Sequence, residues 1–316
     1  MDKAADGLSF SAPAEFDKLV RVSFNCWNQK DQIVDALRND KVALVSGVSI
    51  DQADALMLRL ADEFELKDEL ELQAGFASLK GHRSKLSKWF MTANQRRHYQ
   101  CLPPHCEGNS FTNIQMAAFY CYENTTDGGE TILLNVDHAS PVWANLRERV
   151  QRGVLSGGSL TAGEIARVKM QYNLKLPEDV LRDGEEIIEE MATAIPNLKV
   201  VEVLSRPQKT YSKILGQELN AFWSSIENAD VDSAREYEKF LRHKKLFKES
   251  ESGFSLATPW MRVWSSGLKY SELFKSSLTY KLKAGELIVL NNQSWAHAVN
   301  NWSPESGVRK TAVALA

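Results

Sequence analysis

Cysteine is scarce in this chain of 316 residues: Cys26, Cys101, Cys106 and Cys121 are the whole complement, and none stand in a C-x-x-C spacing. Such a set gives no case for a disulfide framework and suits free thiols in a reducing compartment. A zinc set of Cys101, His105 and Cys106 stays open as an alternative, although it lacks the paired spacing of structural zinc modules. Long apolar runs are also missing. None approaches the ~18 residues of a membrane span, and Met1–Asp6 has no apolar segment of the kind a secretory signal carries. The expectation is a cytoplasmic protein with no membrane partner. Nor is there an excess of basic charge: the net charge is −3, so no electrostatic footprint for nucleic acid exists. The richest basic run, Arg242–Lys245, follows Glu236 and Glu238 and reads as a solvated helix face. Internal repeats and low-complexity tracts are absent.

What is present is a globular composition, 43% hydrophobic and 25% charged, in a chain long enough to bury a large core. The expected organisation is one domain over 1–316. Residues 1–30 read as an arm or edge strand, 31–39 as a helix, and Val42–Gly47 as a buried strand closed by glycine. Ser49 is placed to cap a following amphipathic helix. Residues 67–97 alternate polar and aromatic positions around Lys80-Gly81-His82-Arg83, a pattern for a surface loop. Ile114–Tyr122 is rich in β-formers, Asn124–Gly129 is a turn signal, and Thr131–Leu134 starts another strand, so a hairpin is expected. Charged amphipathic stretches at 141–152, 161–173, 178–193 and 216–247 predict a largely helical insert over 140–250, a lid or wall whose residues near 150–210 would be mobile without substrate. Within it, Lys199–Leu204 reads as a strand. Further strands are expected at 259–264, 278–282, 287–290, 295–299 and 310–315. The fold class is mixed with a β-rich core, a sandwich or jelly roll with flanking helices and a helical insert.

The chemistry gathers in three separated places. His105-x-Glu107 sets an imidazole and a carboxylate two residues apart, which on a strand turns both to one face. Gly128-Gly129-Glu130-Thr131 follows about twenty residues later, and His297 and Arg309 stand near the C-terminus. Two histidines and one carboxylate form a facial triad that leaves positions on a metal open to substrate and oxygen. Arg309 offers a permanent bidentate cation for a carboxylate, and the Thr131 hydroxyl a hydrogen bond to the same group.

In order and spacing these elements resemble the Fe(II)/2-oxoglutarate-dependent dioxygenases of the taurine dioxygenase and clavaminate synthase-like type, over residues from about 40 to the C-terminus. The resemblance implies a double-stranded β-helix with Fe(II) held by His105, Glu107 and His297. It implies 2-oxoglutarate chelating the metal while Arg309 and Thr131 hold its far carboxylate. With O2, the co-substrate would become succinate and CO2 as an unactivated C–H bond of a small-molecule substrate is oxidised. Glu107 favours hydroxylation over halogenation, which in related enzymes uses a small residue at that place. Val313 stands where taurine dioxygenase carries a sulfonate-binding arginine, so taurine is disfavoured, and the glutamate in the triad is similar to enzymes that oxidise amino acids and related metabolites. Desaturation, cyclisation or epimerisation on the same scaffold stay open. So does a non-catalytic metal-containing jelly-roll binding protein, whose mark would be loss of Arg309 or Thr131. A protein or nucleic-acid demethylase would want a basic groove that the charge distribution does not supply. A homo-oligomer is compatible with all of these.

Other residues carry weaker signals. Trp260, Arg262 and Trp264 share one face of an expected strand and are candidates to line the substrate pocket, or equally an outer face with a stacked arginine. Gln115 and Asn113 are candidates to meet substrate, or to bind loop backbone. Asn291 and Asn292 read as turn residues, His138 as part of a helix cap, and His82, His98 and His243 as solvated. Cys106 should point away from its two neighbours and pack, with some sensitivity to oxidation.

Overall fold

The computed structural model describes residues 17–24, 29–80, 83–93, 100–172, 174–223, 225–227, 242, 255–256, 270–303 and 305–316. Along the chain, β1 (Leu19–Ser23), α1 (Lys30–Arg38) and β2 (Val42–Ser46) come first, then α2 (Ile50–Glu63) and α3 (Lys67–Lys80). Next are β3 (Met91–Thr92), β4 (Gln100–His105), β5 (Met116–Asn124) and β6 (Thr131–Val136). The middle holds β7 (Arg147–Leu155), α4 (Ala162–Tyr172), β8 (Glu186–Ala192), β9 (Leu198–Ser205), β10 (Thr210–Ser212), β11 (Gln217–Leu219) and β12 (Ile226–Glu227). The chain closes with β13 (Ser255–Leu256), α5 (Tyr270–Leu273), β14 (Phe274–Tyr280), β15 (Glu286–Asn291), β16 (Trp295–Val299) and β17 (Arg309–Leu315).

Two sheets frame the site. One runs β1-β2-β15-β5-β17-β3 and the other β13-β4-β16-β6-β14. From β4 to β6, and again from β14 to β17, successive strands alternate between the two sheets. The expected hairpin of β5 and β6 is therefore corrected: these strands lie in different sheets, and the turn between them is a corner. Gly128 and Gly129 allow that corner. A Cβ on Gly128 would sit 2.1 Å from the Asn301 carbonyl oxygen, and Gly129 has φ +72°. The sheets share a core in which Leu44, Ala117, Ile288 and Val313 of the first meet Leu133, Leu278 and Trp295 of the second. Helices α1 and α2 cover the outer face of the first sheet, with Ile33, Leu37, Leu56 and Leu60 wholly buried in one cluster with the β2 residues Ala43 and Val45. Ser49 caps α2 as expected, closing a capping box with Gln52.

The helical insert is the main correction. Among the described residues, only 161–173 of its four expected helices forms one, as α4. Residues 141–152 make a short 3-10 turn (Pro141–Asn145) and then β7, 178–193 contains β8, and the start of 216–247 holds β11 and β12. Strands β7, β8 and β12 assemble around β9 in a four-stranded antiparallel sheet, β12-β7-β9-β8. The difference has a physical source: β7 buries Glu148 and Arg152, so its inward face is charged and the period of two is hidden in a hydrophobicity pattern. Within 67–97, the expected loop begins instead with α3. Residues 259–264 and most of 228–250 lie outside the described residues. No helix among the described residues is long and apolar enough to cross a membrane.

Candidate metal centre

The two histidines are fixed by strand register. His297 on β16 lies directly opposite His105 at the end of β4, and the ring centroids are 4.4 Å apart. Glu107 follows two residues on, and its Oε1 is 3.5 Å from His297 Nε2 and 4.0 Å from His105 Nε2. One ligand atom from each residue lies within 4.8 Å of the others. The period of two that the H-x-E spacing predicts is realised, and the intervening residue turns away: Cys106 is fully buried in the apolar cluster of Ala221, Phe222 and Trp223. Burial first, and the nearby Glu107 charge, push its thiol far above the usual range, so it is inert as a thiolate.

Electrostatics keep Glu107 anionic. Burial alone would raise its carboxyl, but the hydrogen bond with His297 and the fields of Arg83, His297 and His105 outweigh it and hold the group well below the usual carboxylate range. Arg83 is part of this arrangement. Its guanidinium donates to both carboxylate oxygens, at 3.4 and 3.2 Å, so Arg83 lies in the loop expected there with its side chain turned to the candidate site. The sequence shows its charge; its reach to a carboxylate 24 residues away is a matter of folding.

The backbone of Glu107 is held by Asn292. The Asn292 side-chain oxygen accepts from the Glu107 N–H at 2.8 Å, and its side-chain amide donates to the Glu107 and Ile114 carbonyls at 2.9 Å. Asn292 is wholly buried, as are Asn291, Gln293 and Ser294. The turn expected at Asn291 and Asn292 forms over 292–294, and its buried side chains make it a polar brace as well. On His297, Nδ1 is buried without a hydrogen-bond partner, so the ring is held by packing against Phe119, at 4.6 Å between centroids, and His105.

Thr131 shares the face of the site. It stands opposite Val299, and Leu133 opposite His297, so the period of two aligns all four side chains. Arg309 donates from Nε to the Gly129 carbonyl at 3.0 Å and from one terminal nitrogen to Thr311 Oγ1 at 3.1 Å. No carboxylate among the described residues pairs with it. Desolvation lowers its pKa to about 10, against the raising influence of Cys121 and Glu130, and it stays cationic at neutral pH.

Two other candidates are placed away from any substrate role. Gln115 is buried, with its amide donating to the Asn113 and Tyr211 carbonyls and its side-chain oxygen accepting from the Lys213 N–H. It pins the chain around β10 and keeps no free donor for a substrate. His138 bridges Asn220 O and Ser294 Oγ, while the cap of the following turn is Ser140. Trp260, Arg262 and Trp264, with His82, His98 and His243, lie outside the described residues.

No family model and no curated protein matches this chain. Solved structures do. One is AAD-2 in complex with Mn(II) and N-oxalylglycine, 13% identical, covering 94% of this chain and 92% of that one with a TM-score of 0.39. Another is a putative alpha-ketoglutarate dependent 2,4-D dioxygenase from Burkholderia xenovorans, 12% identical, covering 94% and 93% with a TM-score of 0.40. A taurine dioxygenase from the same organism is 11% identical, covering 92% and 80% with a TM-score of 0.35. Similarity at this level carries no weight alone. What bears on this chain is the geometry of His105, Glu107, His297 and Arg309.

Proposed function

We propose that this chain is an Fe(II)- and 2-oxoglutarate-dependent oxygenase on a double-stranded β-helix, and that it hydroxylates a C–H bond of a small polar metabolite. The observation that carries the reading is the convergence of two imidazoles and an anionic carboxylate from two opposed strands and the loop after them. That donor set suits a non-haem Fe(II) with open positions. A half-buried guanidinium without a carboxylate partner among the described residues supports the co-substrate assignment.

In this reading His105, Glu107 and His297 hold the metal, and Arg309 with Thr131 fixes the far carboxylate of 2-oxoglutarate. When bound, iron, 2-oxoglutarate and O2 supply the oxidising power, with succinate and CO2 as co-products. The chain supplies position and dryness. Phe119 packs on His297, Leu133 stands opposite it, and Asn292 fixes the backbone of Glu107. A small-molecule substrate is the partner this arrangement needs.

Anaerobic titration of Fe(II) and 2-oxoglutarate tests the reading, by the weak visible charge-transfer absorption of the iron–keto acid chelate. The band should form with wild-type protein, weaken in Arg309→Ala, and vanish in His297→Ala. A folded wild-type protein that gives no band would overturn the assignment.

A further inference from the structure

A cleft of about 480 Å³ lies apart from the triad, between the four-stranded sheet and the loop that follows Glu107. Its walls are β7, the end of β9, residues 175–182 and 206–210, and Asn109–Phe111. The volume is that of a small-molecule site.

The lining is unevenly charged. Arg149 is matched by Glu202 at 2.9 Å, and Arg152 by Glu185 at 3.0 Å and Asp179 at 3.6 Å. These pairs leave Lys175, Arg182, Arg206 and Lys209, none of which has a carboxylate partner among the described residues. Lys175 is seated over the Phe111 ring, 5.0 Å from its centroid. On the acidic side only Glu178 and Glu148 are left unmatched in the lining, among the described residues. Glu148 is buried, accepts from Ser225 Oγ at 2.7 Å, and is pushed up to about 7 by burial, so at neutral pH it carries only roughly half of its charge. Several unmatched cations in a concave, half-enclosed site attract an anion with multiple charges.

The same walls connect to the metal centre. Asn109 is two residues from Glu107. Thr210 accepts a hydrogen bond from Gln293 at 3.3 Å, and Gln293 adjoins Asn292, which grips Glu107. Gln115 ties the backbone of Tyr211 and Lys213 to the start of β5.

We propose that this cleft is an anion site apart from the triad, and that it binds a small molecule bearing two or more carboxylate or phosphate groups. The anion site stands independently of the oxygenase reading. Pyrophosphate and citrate serve as probes in calorimetric titrations of the full chain at low salt, beside an Arg206→Gln/Lys209→Gln variant. Wild-type protein should bind at least one probe with Kd below about 1 mM, and the variant should bind about tenfold more weakly or worse. The variant should keep the wild-type melting temperature and the iron–keto acid band. Preference for pyrophosphate or citrate identifies phosphate or carboxylate as the favoured group. Absence of binding to both probes, or equal binding by the variant, would overturn the anion site even where the band forms. Binding without the band would instead remove the oxygenase reading and leave the anion site standing.

Discussion

Asn292 holds Glu107 by both backbone polar groups, accepting from its N–H at 2.8 Å and donating to its carbonyl at 2.9 Å across 185 residues of sequence. The carboxylate that faces His105 and His297 is thereby set from the opposite end of the chain. An asparagine does this because its side-chain amide offers a donor and an acceptor in one plane.

Asn292→Ala should leave the Glu107 N–H unsatisfied and let the ligand drift. Loss of a supporting contact of this kind weakens metal binding by about 10–100-fold. Mn(II) titration checks it, with Asn292→Asp as companion: aspartate keeps the acceptor but cannot donate to the Glu107 and Ile114 carbonyls, and should be defective too.

In the proposed site Arg83 would compete with a metal for Glu107, since its guanidinium touches both carboxylate oxygens. Arg83→Met should lower the melting temperature of the metal-free protein, where a partly buried carboxylate loses its cation. It should also enlarge the rise in melting temperature on adding Mn(II). A smaller metal-induced rise than in wild type would show that Arg83 assists binding instead.

Glu148 makes stability pH-dependent. Burial raises its folded-state pKa to about 7, above its unfolded value. Its contribution is therefore full below the unfolded pKa and is lost as pH rises through about 7. Glu148→Gln should flatten this part of the stability profile between roughly pH 5 and 8, as followed by urea unfolding, because glutamine can still accept from Ser225.

Ser49→Ala tests the fold far from the site. The capping box with Gln52 closes the N-terminus of α2, and its loss should cost about 1 kcal/mol. Chemical denaturation should register this while Mn(II) affinity stays unchanged.

Much of the β framework is legible in the sequence because its signals are local. Val42–Gly47 reads as a buried strand from its apolar run, and β16 occupies the expected 295–299. The H-x-E spacing anticipates the shared face of His105 and Glu107 for the same reason. Charged strands are not legible: β7 and β8 carry their acids and bases on faces that salt bridges satisfy, as Arg152 does with Glu185, and an amphipathic count mistakes them for helices. For Gln115 the sequence leaves substrate and loop backbone as alternatives, and the structure decides for backbone that only folding brings near.

By itself, then, the sequence determined which donors exist and which are neighbours along a strand: His105 with Glu107, the glycines before Thr131, and a histidine and arginine near the end. Only the tertiary structure decided that β4 and β16 pair in the register that sets His297 opposite His105, that Arg83 reaches Glu107, and that Asn292 braces it. Local spacing is written in covalent geometry, whereas long-range register is chosen by the packing of whole sheets, and no short stretch of chain contains it.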